Sequence, residues 1–532
     1  MTLASKKGIK QVLGSLPLTA EIDWYLRKRG EPLRGFKLEE LDEVISEWQT
    51  QAAASPHRSE EKRNVLIFST LRYWVSHSTL LGLTLSSLGH NVNLGYLPYN
   101  DWSDSVNDFD LRQRNLYVRK VLSKAEPTLP SFSFLDQRED IILPPELEEA
   151  VAAVTVRDVQ YTEQVEDIDD NGDLFALRHR RNLSAAKIAF QWMQNNHPDV
   201  LLTPNGMILE FGAIYEVAKH LGIPVVSYEF GEQRERIWFS QGASVMLQDT
   251  DEIWEAKKDQ PFGEEELVKI RELFEARQGA TLWQNFSRKW QESSSEGGKS
   301  VRDKLNLDDR PVVLLAANVI GDSLTLGRQV FSESMTEWVT RTLDYFKDKP
   351  NVQFILRTHP GERYMAGPSL EIKARQAIPE LPENFRIVGP ENPINTYDLI
   401  SIADLGLVYT TTVGLEMAMS AVPVIVAGNT HYRGKDFTLD PTSWDEYFAL
   451  LDSSLDSIKS IRPPKDQVQR AWHYAYRFFF DFPRPFPWHL WYFWDDVKER
   501  SLSSVLTDEG MQRYKDTFDY LVGKPLNWKT IN

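Results

Sequence analysis

Three consecutive threonines, Thr410, Thr411 and Thr412, stand between an apolar run, Leu405 to Tyr409, and a helix-like run that carries Glu416 one turn in. A helix start offers unpaired N–H groups and partial positive charge, so this turn is suited to hold a phosphate. Its bland alternative is ordinary N-capping. Glu416 is spaced to reach a ribose hydroxyl, or to form a surface salt bridge. Upstream, Arg357-Thr-His359-Pro360 closes the apolar run Val352 to Leu356. Arg and His there can donate to a phosphate and offset the charge it gains on leaving. Glu229 ends the run Ile223 to Tyr228. A carboxylate there can take the proton of an attacking hydroxyl, or can pair with Arg234 or Arg236. Asn318 and Asp322 follow the run Pro311 to Ala317 and either touch the same ligand or form a turn. Tyr432 and Gly434 follow one more strand end and are expected to shape the wall around the base or sugar. Core packing explains Tyr432 nearly as well. His77 is read as the start of a helix Ser76 to Leu88, with an acceptor-side contact as the alternative.

These groups need strands that end on one edge. Buried runs alternate with helix-like ones twice along the chain, which predicts an α/β protein with two doubly wound, Rossmann-like domains facing a cleft. In such sheets ligands bind outside the carboxyl ends of the strands. The expected divisions are a helical extension and linker over 1–62, a first α/β domain over 63–250 with a helical insertion near 100–185, and a helical linker over 251–310. A second α/β domain, 311–460, holds the phosphate-type residues. An aromatic-rich helical tail, 461–532, follows.

At 532 residues more than one core is required. The formal net charge of −17 disfavours nucleic acid as a partner. No run reaches the ~18 apolar residues of a membrane span, and the first residues lack the apolar core of a secretory signal. The chain has no cysteine, which removes disulfides, Cys-ligated metals and thiol catalysis and fits a cytoplasmic location. Asp167-Ile-Asp169-Asp-Asn171-Gly172 has the outline of a calcium loop, but Arg178 stands where the bidentate Glu belongs, so it reads as a solvated segment. A phosphate loop of the Gly-x-x-x-x-Gly-Lys-Ser/Thr type does not occur, which counts against an ATPase. The tail aromatics either pack on the first domain or sit at the inner face of a membrane. Pro483, Pro485 and Pro487 favour packing.

Glu416-Met-Ala-Met-Ser-Ala-Val-Pro423-Val-Ile is similar to the donor-side pattern of GT-B glycosyltransferases, with Ala421 in place of a glycine. Thr411-Thr-Val-Gly-Leu-Glu416, Gly428-x-x-x-Tyr432-x-Gly434 and Phe437-Thr438 resemble bacterial capsular polysaccharide synthesis proteins, including the Kdo transferase type. His359-Pro360 is similar to the His-Pro motif those enzymes share with bacterial sialyltransferases. Tyr228-Glu229-Phe230-Gly231 resembles the acidic-acidic-Gly motif of the sialyltransferases, whose first acid is the general base; Phe230 departs from it. The resemblance covers mainly 200–240 and 310–440. It implies an inverting, metal-independent transferase without a cofactor, whose substrates are a nucleotide-sugar donor and a glycan or lipid-linked acceptor in surface or capsular polysaccharide synthesis. A CMP-sugar is the preferred donor, with UDP-, GDP- and dTDP-sugars as alternatives. It would hold the donor with Asn318, Asp322, Arg357, His359, Pro360, Thr410, Thr411, Thr412, Glu416, Tyr432 and Gly434, and use Glu229 and His359 in catalysis. The competing readings are a nucleotide-sugar 2-epimerase and a non-catalytic glycan-binding or scaffolding subunit of an export complex.

Overall fold

The computed structural model describes residues 3–28, 36–57, 59, 61–103, 105–286, 292–365 and 367–531; Arg58 and Glu60 of the expected linker lie outside them. The chain divides into two compact units, each built from separate stretches. The first comprises Met1–Asp158, Asp169–Met246 and Arg484–Leu526, the second Val159–Ile168, Leu247–Pro483 and Asn527–Asn532.

The first unit is built on β1 (Asn64–Thr70), β2 (Asn91–Leu97), β3 (Ser131–Ser133), β4 (Val200–Pro204), β5 (Val225–Glu229) and β6 (Arg236–Gln241). They lie in the order β3-β2-β1-β4-β5-β6, parallel except for β6. Val65, Leu66, Ile67 and Phe68 of β1 are all fully buried, as a central strand covered on both faces requires. The helix after β1 runs Arg72–Ser87, starting before the expected Ser76, so His77 falls inside it. The helix Leu209–His220 matches its expected span. The 100–185 region holds the expected helices, Asp108–Leu122, Pro145–Glu163 and Asp173–Asn196. It also contributes β3, too short to show a pattern.

The second unit carries β7 (Val312–Ala316), β8 (Gln353–Arg357), β9 (Phe385–Val388), β10 (Leu405–Val408) and β11 (Val424–Val426). All are parallel, in the order β11-β10-β7-β8-β9. One apolar cluster, including Leu315, Trp338, Phe354, Leu407 and Tyr447, fills the space between sheet and helices. The helix Met335–Phe346 presents Met335, Trp338, Val339 and Leu343 to it. Its first turn is capped by Ser334 and by Glu166, whose carboxylate accepts from Met335 N–H at 2.8 Å and Thr336 N–H at 3.0 Å. The helices Asp251–Lys257 and Glu264–Gln278, read as linker from sequence, belong to this unit.

Most of the tail's aromatic run is buried, with Trp491 exposed. Phe478, Phe480, Phe482, Phe486 and Trp488 are all at least nine-tenths covered. After Pro483 the chain returns to the first unit, where β12 (Arg484–Pro485) pairs antiparallel with Ile237 and Arg236 of β6. Trp488 packs on Trp48 at 5.0 Å between ring centroids. No described helix is long and apolar enough to cross a membrane.

In each sheet the chain starts at a central strand, builds to one side, then returns to build the other. The strand order therefore reverses between β1 and β4, and between β7 and β10. Such reversals open a crevice at the carboxyl ends of the two strands.

Candidate functional site

In the second unit the carboxyl ends of β7, β8 and β10 gather most of the expected residues. Asn318, just past β7, reaches the end of β10, where its Oδ1 accepts from the Thr410 N–H at 3.1 Å. The Thr410 hydroxyl donates to Leu324 O at 3.2 Å. Thr412 is half-buried at the start of the helix Val413–Met419, and its hydroxyl makes no capping bond. His359 is exposed just past β8 and opens a short 3-10 turn with Pro360 in its first position. Its Nδ1 accepts from Gly361 N–H at 3.0 Å, so the neutral ring carries its proton on Nε2. That is the donor nitrogen a phosphate oxygen needs. An open depression of about 750 Å³ lined by Asp308, Arg310, Pro311, Asn351 and Lys459 lies by the amino end of β7 and shares no residue with this edge.

Several expected contacts are otherwise engaged. Glu416 is neither exposed nor turned to a ligand: it is 2% exposed and forms an ion pair with Arg277 at 2.7 Å, while Tyr397 donates to it at 2.9 Å. Its spacing on the helix is right for the edge, but the partner helix Glu264–Gln278 covers it. Arg357 is buried, and its guanidinium donates to the carbonyls of Gly389 at 2.7 Å, Ile394 at 3.3 Å and Val388 at 3.4 Å. Burial lowers its pKa to about 10. It ties down the loop after β9. The expected free N–H groups of the threonine turn are partly spent: Gly414 N–H bonds Thr411 O at 3.1 Å and Glu416 N–H bonds Thr412 O at 3.2 Å. Asp322 caps its own turn through Leu324 N–H at 3.0 Å.

Tyr432 is fully buried and forms no part of an exposed wall. Its hydroxyl donates to Thr411 O at 2.6 Å and so props the threonine turn from beneath. Gly414 makes room for it, since a Cβ there would lie 2.3 Å from the tyrosine oxygen. Gly434 takes a left-handed φ of 72°, and its N–H bonds Asp440 at 2.7 Å.

Two further side chains come to this neighbourhood without a sequence signal. Arg328 is 1% exposed, donates to Asn429 O at 3.0 Å, and has its pKa lowered to about 10 by burial, against the attraction of Asp322. His431 is buried between Tyr474 and Phe478, the latter stacked at 3.8 Å, and its Nδ1 meets the Tyr474 hydroxyl at 2.9 Å. Burial holds it neutral. A lone Arg or His in a loop carries no pattern that separates it from a surface residue.

In the first unit Glu229 ends β5, half-buried, with Oε1 accepting from Phe230 N–H at 3.0 Å. Desolvation raises its pKa to about 7, opposed by the Phe230 N–H and by Asn205. Its alternative partner Arg234 instead pairs with Asp496 at 3.0 Å. Asn205 lies in the turn after β4 at φ 56°, and its side chain holds Met207 N–H at 3.0 Å. Its Asn-Gly turn pair was the available signal. His77 is fully buried among Trp74, Tyr228, Phe230, Phe486 and Phe493, and burial lowers its pKa to about 3. It is a core histidine in the helix interior, not a helix-start or acceptor-side group. The Asp167–Gly172 segment is largely solvated, with Asp169 and Asp170 exposed and Asp169 capping Asn171 N–H at 3.0 Å.

The two sheets define an α/β protein with two Rossmann-like units. No family model and no curated protein matches the chain. Among solved structures it is similar to Thermosulfurimonas dismutans KpsC, a beta Kdo 2,4 transferase, at 13% identity and a TM-score of 0.33 over 52% of this chain and 80% of that one. It is also similar to UDP-GlcNAc 2-epimerase from Neisseria meningitidis, at 11% identity and a TM-score of 0.24 over 76% and 93%. The glycotransferase of kitacinnamycin matches at 13% identity and a TM-score of 0.21 over 78% and 95%. Likeness at this level assigns no reaction to the chain.

Proposed function

We propose that the protein is a glycosyltransferase that moves a sugar, with inversion, from a nucleotide-sugar donor to a hydroxyl of a glycan or lipid-linked acceptor. The reading rests chiefly on one observation: polar groups stand past the carboxyl ends of the adjacent strands β10, β7 and β8, and Asn318 and Thr410 bridge β7 and β10 at the strand-order reversal of the second sheet. His359 Nε2–H and the hydroxyls of Thr411 and Thr412 hold the donor phosphates; Arg357 and Tyr432 position the loops that carry them. Glu229 accepts the proton of the attacking hydroxyl, supported by its position at a strand end and a pKa near neutrality. Leaving-group charge is offset by side-chain donors rather than a metal.

A thermal-shift screen of the full chain against CMP, UDP, GDP and dTDP tests the donor half, because a ligand that binds the folded state raises its apparent stability. One nucleotide should shift unfolding upward, and its sugar conjugate should then support transfer. No shift with any of the four removes the nucleotide reading. Formation of an epimer from the donor alone makes the protein a 2-epimerase.

A further inference from the structure

Fifteen large apolar side chains are exposed among the described residues, and seven of them fall between Ile9 and Leu26. This short stretch forms the helix Leu3–Ser15 and a second helical run, Thr19–Lys28. Both pack on the helix Asp108–Leu122 of the same unit. The inward face is specific. Lys10 pairs with Asp110 at 2.7 Å, Gly14 lies against the backbone of Phe109, and Ala20 and Trp24 are buried. Glu21 pairs with Arg112, and Gln113 donates to Asp23 at 2.8 Å.

The outward face is therefore apolar where a surface helix is ordinarily polar. Val12 is 64% exposed, Ile22 55%, Tyr25 67% and Leu26 77%. Two of the three local carboxylates, Glu21 and Asp23, are engaged on the inner side. Over residues 1–37 the sequence has eight Lys and Arg against three Asp and Glu, in a chain whose formal net charge is −17.

We propose that this face docks on an anionic lipid surface. An exposed apolar stripe in a segment whose sequence is basic is the pattern of an interfacial helix pair, with the apolar side chains entering the headgroup layer. The remainder of the chain is acidic and would be repelled by such a surface, so docking is confined to this segment and sets one orientation. A second copy of the chain fits less well, because a two-fold contact would bring the two basic segments together. The aromatic tail, the candidate from sequence, is largely buried and exposes one large apolar side chain, Trp491, against seven here.

Co-sedimentation of the full chain with vesicles tests this, using equal phosphatidylglycerol and phosphatidylcholine against phosphatidylcholine alone. The protein should pellet with the anionic vesicles, less with the neutral ones, and be released by added salt. Val12→Glu, Ile22→Glu and Leu26→Glu combined should lower the bound fraction at least about tenfold while leaving thermal unfolding unchanged. The proposal fails if the triple variant pellets like the parent, or if the parent stays in solution. It also fails if light scattering shows a dimer that the triple variant converts to monomer, for then a second copy covers the face. None of these outcomes bears on donor binding.

Discussion

Asn318 and Thr410 are joined across the reversal point of the second sheet: the side-chain oxygen after β7 accepts from the backbone N–H after β10 at 3.1 Å. That bond fixes the threonine turn relative to the neighbouring strand end. Asn318→Ala leaves the N–H without its partner. It should cost roughly 1 kcal/mol of stability and weaken nucleotide binding about tenfold, measured by denaturant unfolding and titration calorimetry. Full nucleotide affinity in the variant would show that this bond does not organise the site.

Glu229 has a pKa raised from 4.5 to about 7, so the folded protein holds this proton more tightly than the unfolded chain. Ionising it costs stability, and the cost grows as pH rises through that window. Glu229→Gln should flatten the fall in stability over the same range. In the proposed reaction the ionised form is the base, so turnover should rise with pH and level off above about 7. Glu229→Gln should slow the chemical step about a hundredfold or more with donor affinity nearly unchanged, as read by single-turnover kinetics. Near-normal turnover would place the base elsewhere.

Glu416 and Arg277 form a buried pair with Tyr397. Removing one charge strands the other, so Glu416→Ala should destabilise the protein by about 3–5 kcal/mol. The loss should appear as a lower unfolding temperature with and without nucleotide. A stable variant with reduced nucleotide affinity would return Glu416 to the ribose role expected from sequence.

Gly414 and Tyr432 compete for one space. Gly414→Ala should cost about 1–3 kcal/mol, since its Cβ would meet the tyrosine oxygen at 2.3 Å. Tyr432→Phe removes that oxygen and should recover part of the loss in the double variant. A double-mutant cycle measures the coupling, and additive effects would refute the clash.

Metal independence is tested directly. Transfer should survive EDTA; activity abolished by the chelator and restored by magnesium or manganese would overturn the assignment of leaving-group stabilisation to side chains.

The central strands were legible because each is a short apolar run closed by turn residues, and β1, β7 and β10 fall where those runs lie. Arg236–Gln241 was not: β6 runs antiparallel beside the two-residue edge strand β12, and half of its positions are only half-buried, so it lacks a continuous apolar run. The same limit applied to side chains. Threonine, histidine and glutamate could be assigned to strand ends from local order, but whether each faces outward depends on what covers it. Glu416 is covered by Arg277, and Arg357 is spent on carbonyls beyond β9; both partners are distant in sequence. His77 was misplaced because its helix starts before Ser76, at Arg72.

The return of the tail to the first unit sets the order in which the protein can be finished on the ribosome. β6 gains its outer neighbour only when Arg484 and Pro485 arrive, and Gln241 N–H waits for the Tyr520 hydroxyl, at 2.8 Å in the folded chain. The aromatic surround of His77 is likewise completed by Phe486 and Phe493. The first unit to be translated is thus the last to close, with the whole second sheet synthesised in between. Until then it presents an unpaired strand edge beside apolar side chains, the form in which nascent proteins most readily aggregate. A chain stopped at Pro483 should accumulate as insoluble material, and supplying 484–526 in trans is the direct way to restore the missing edge.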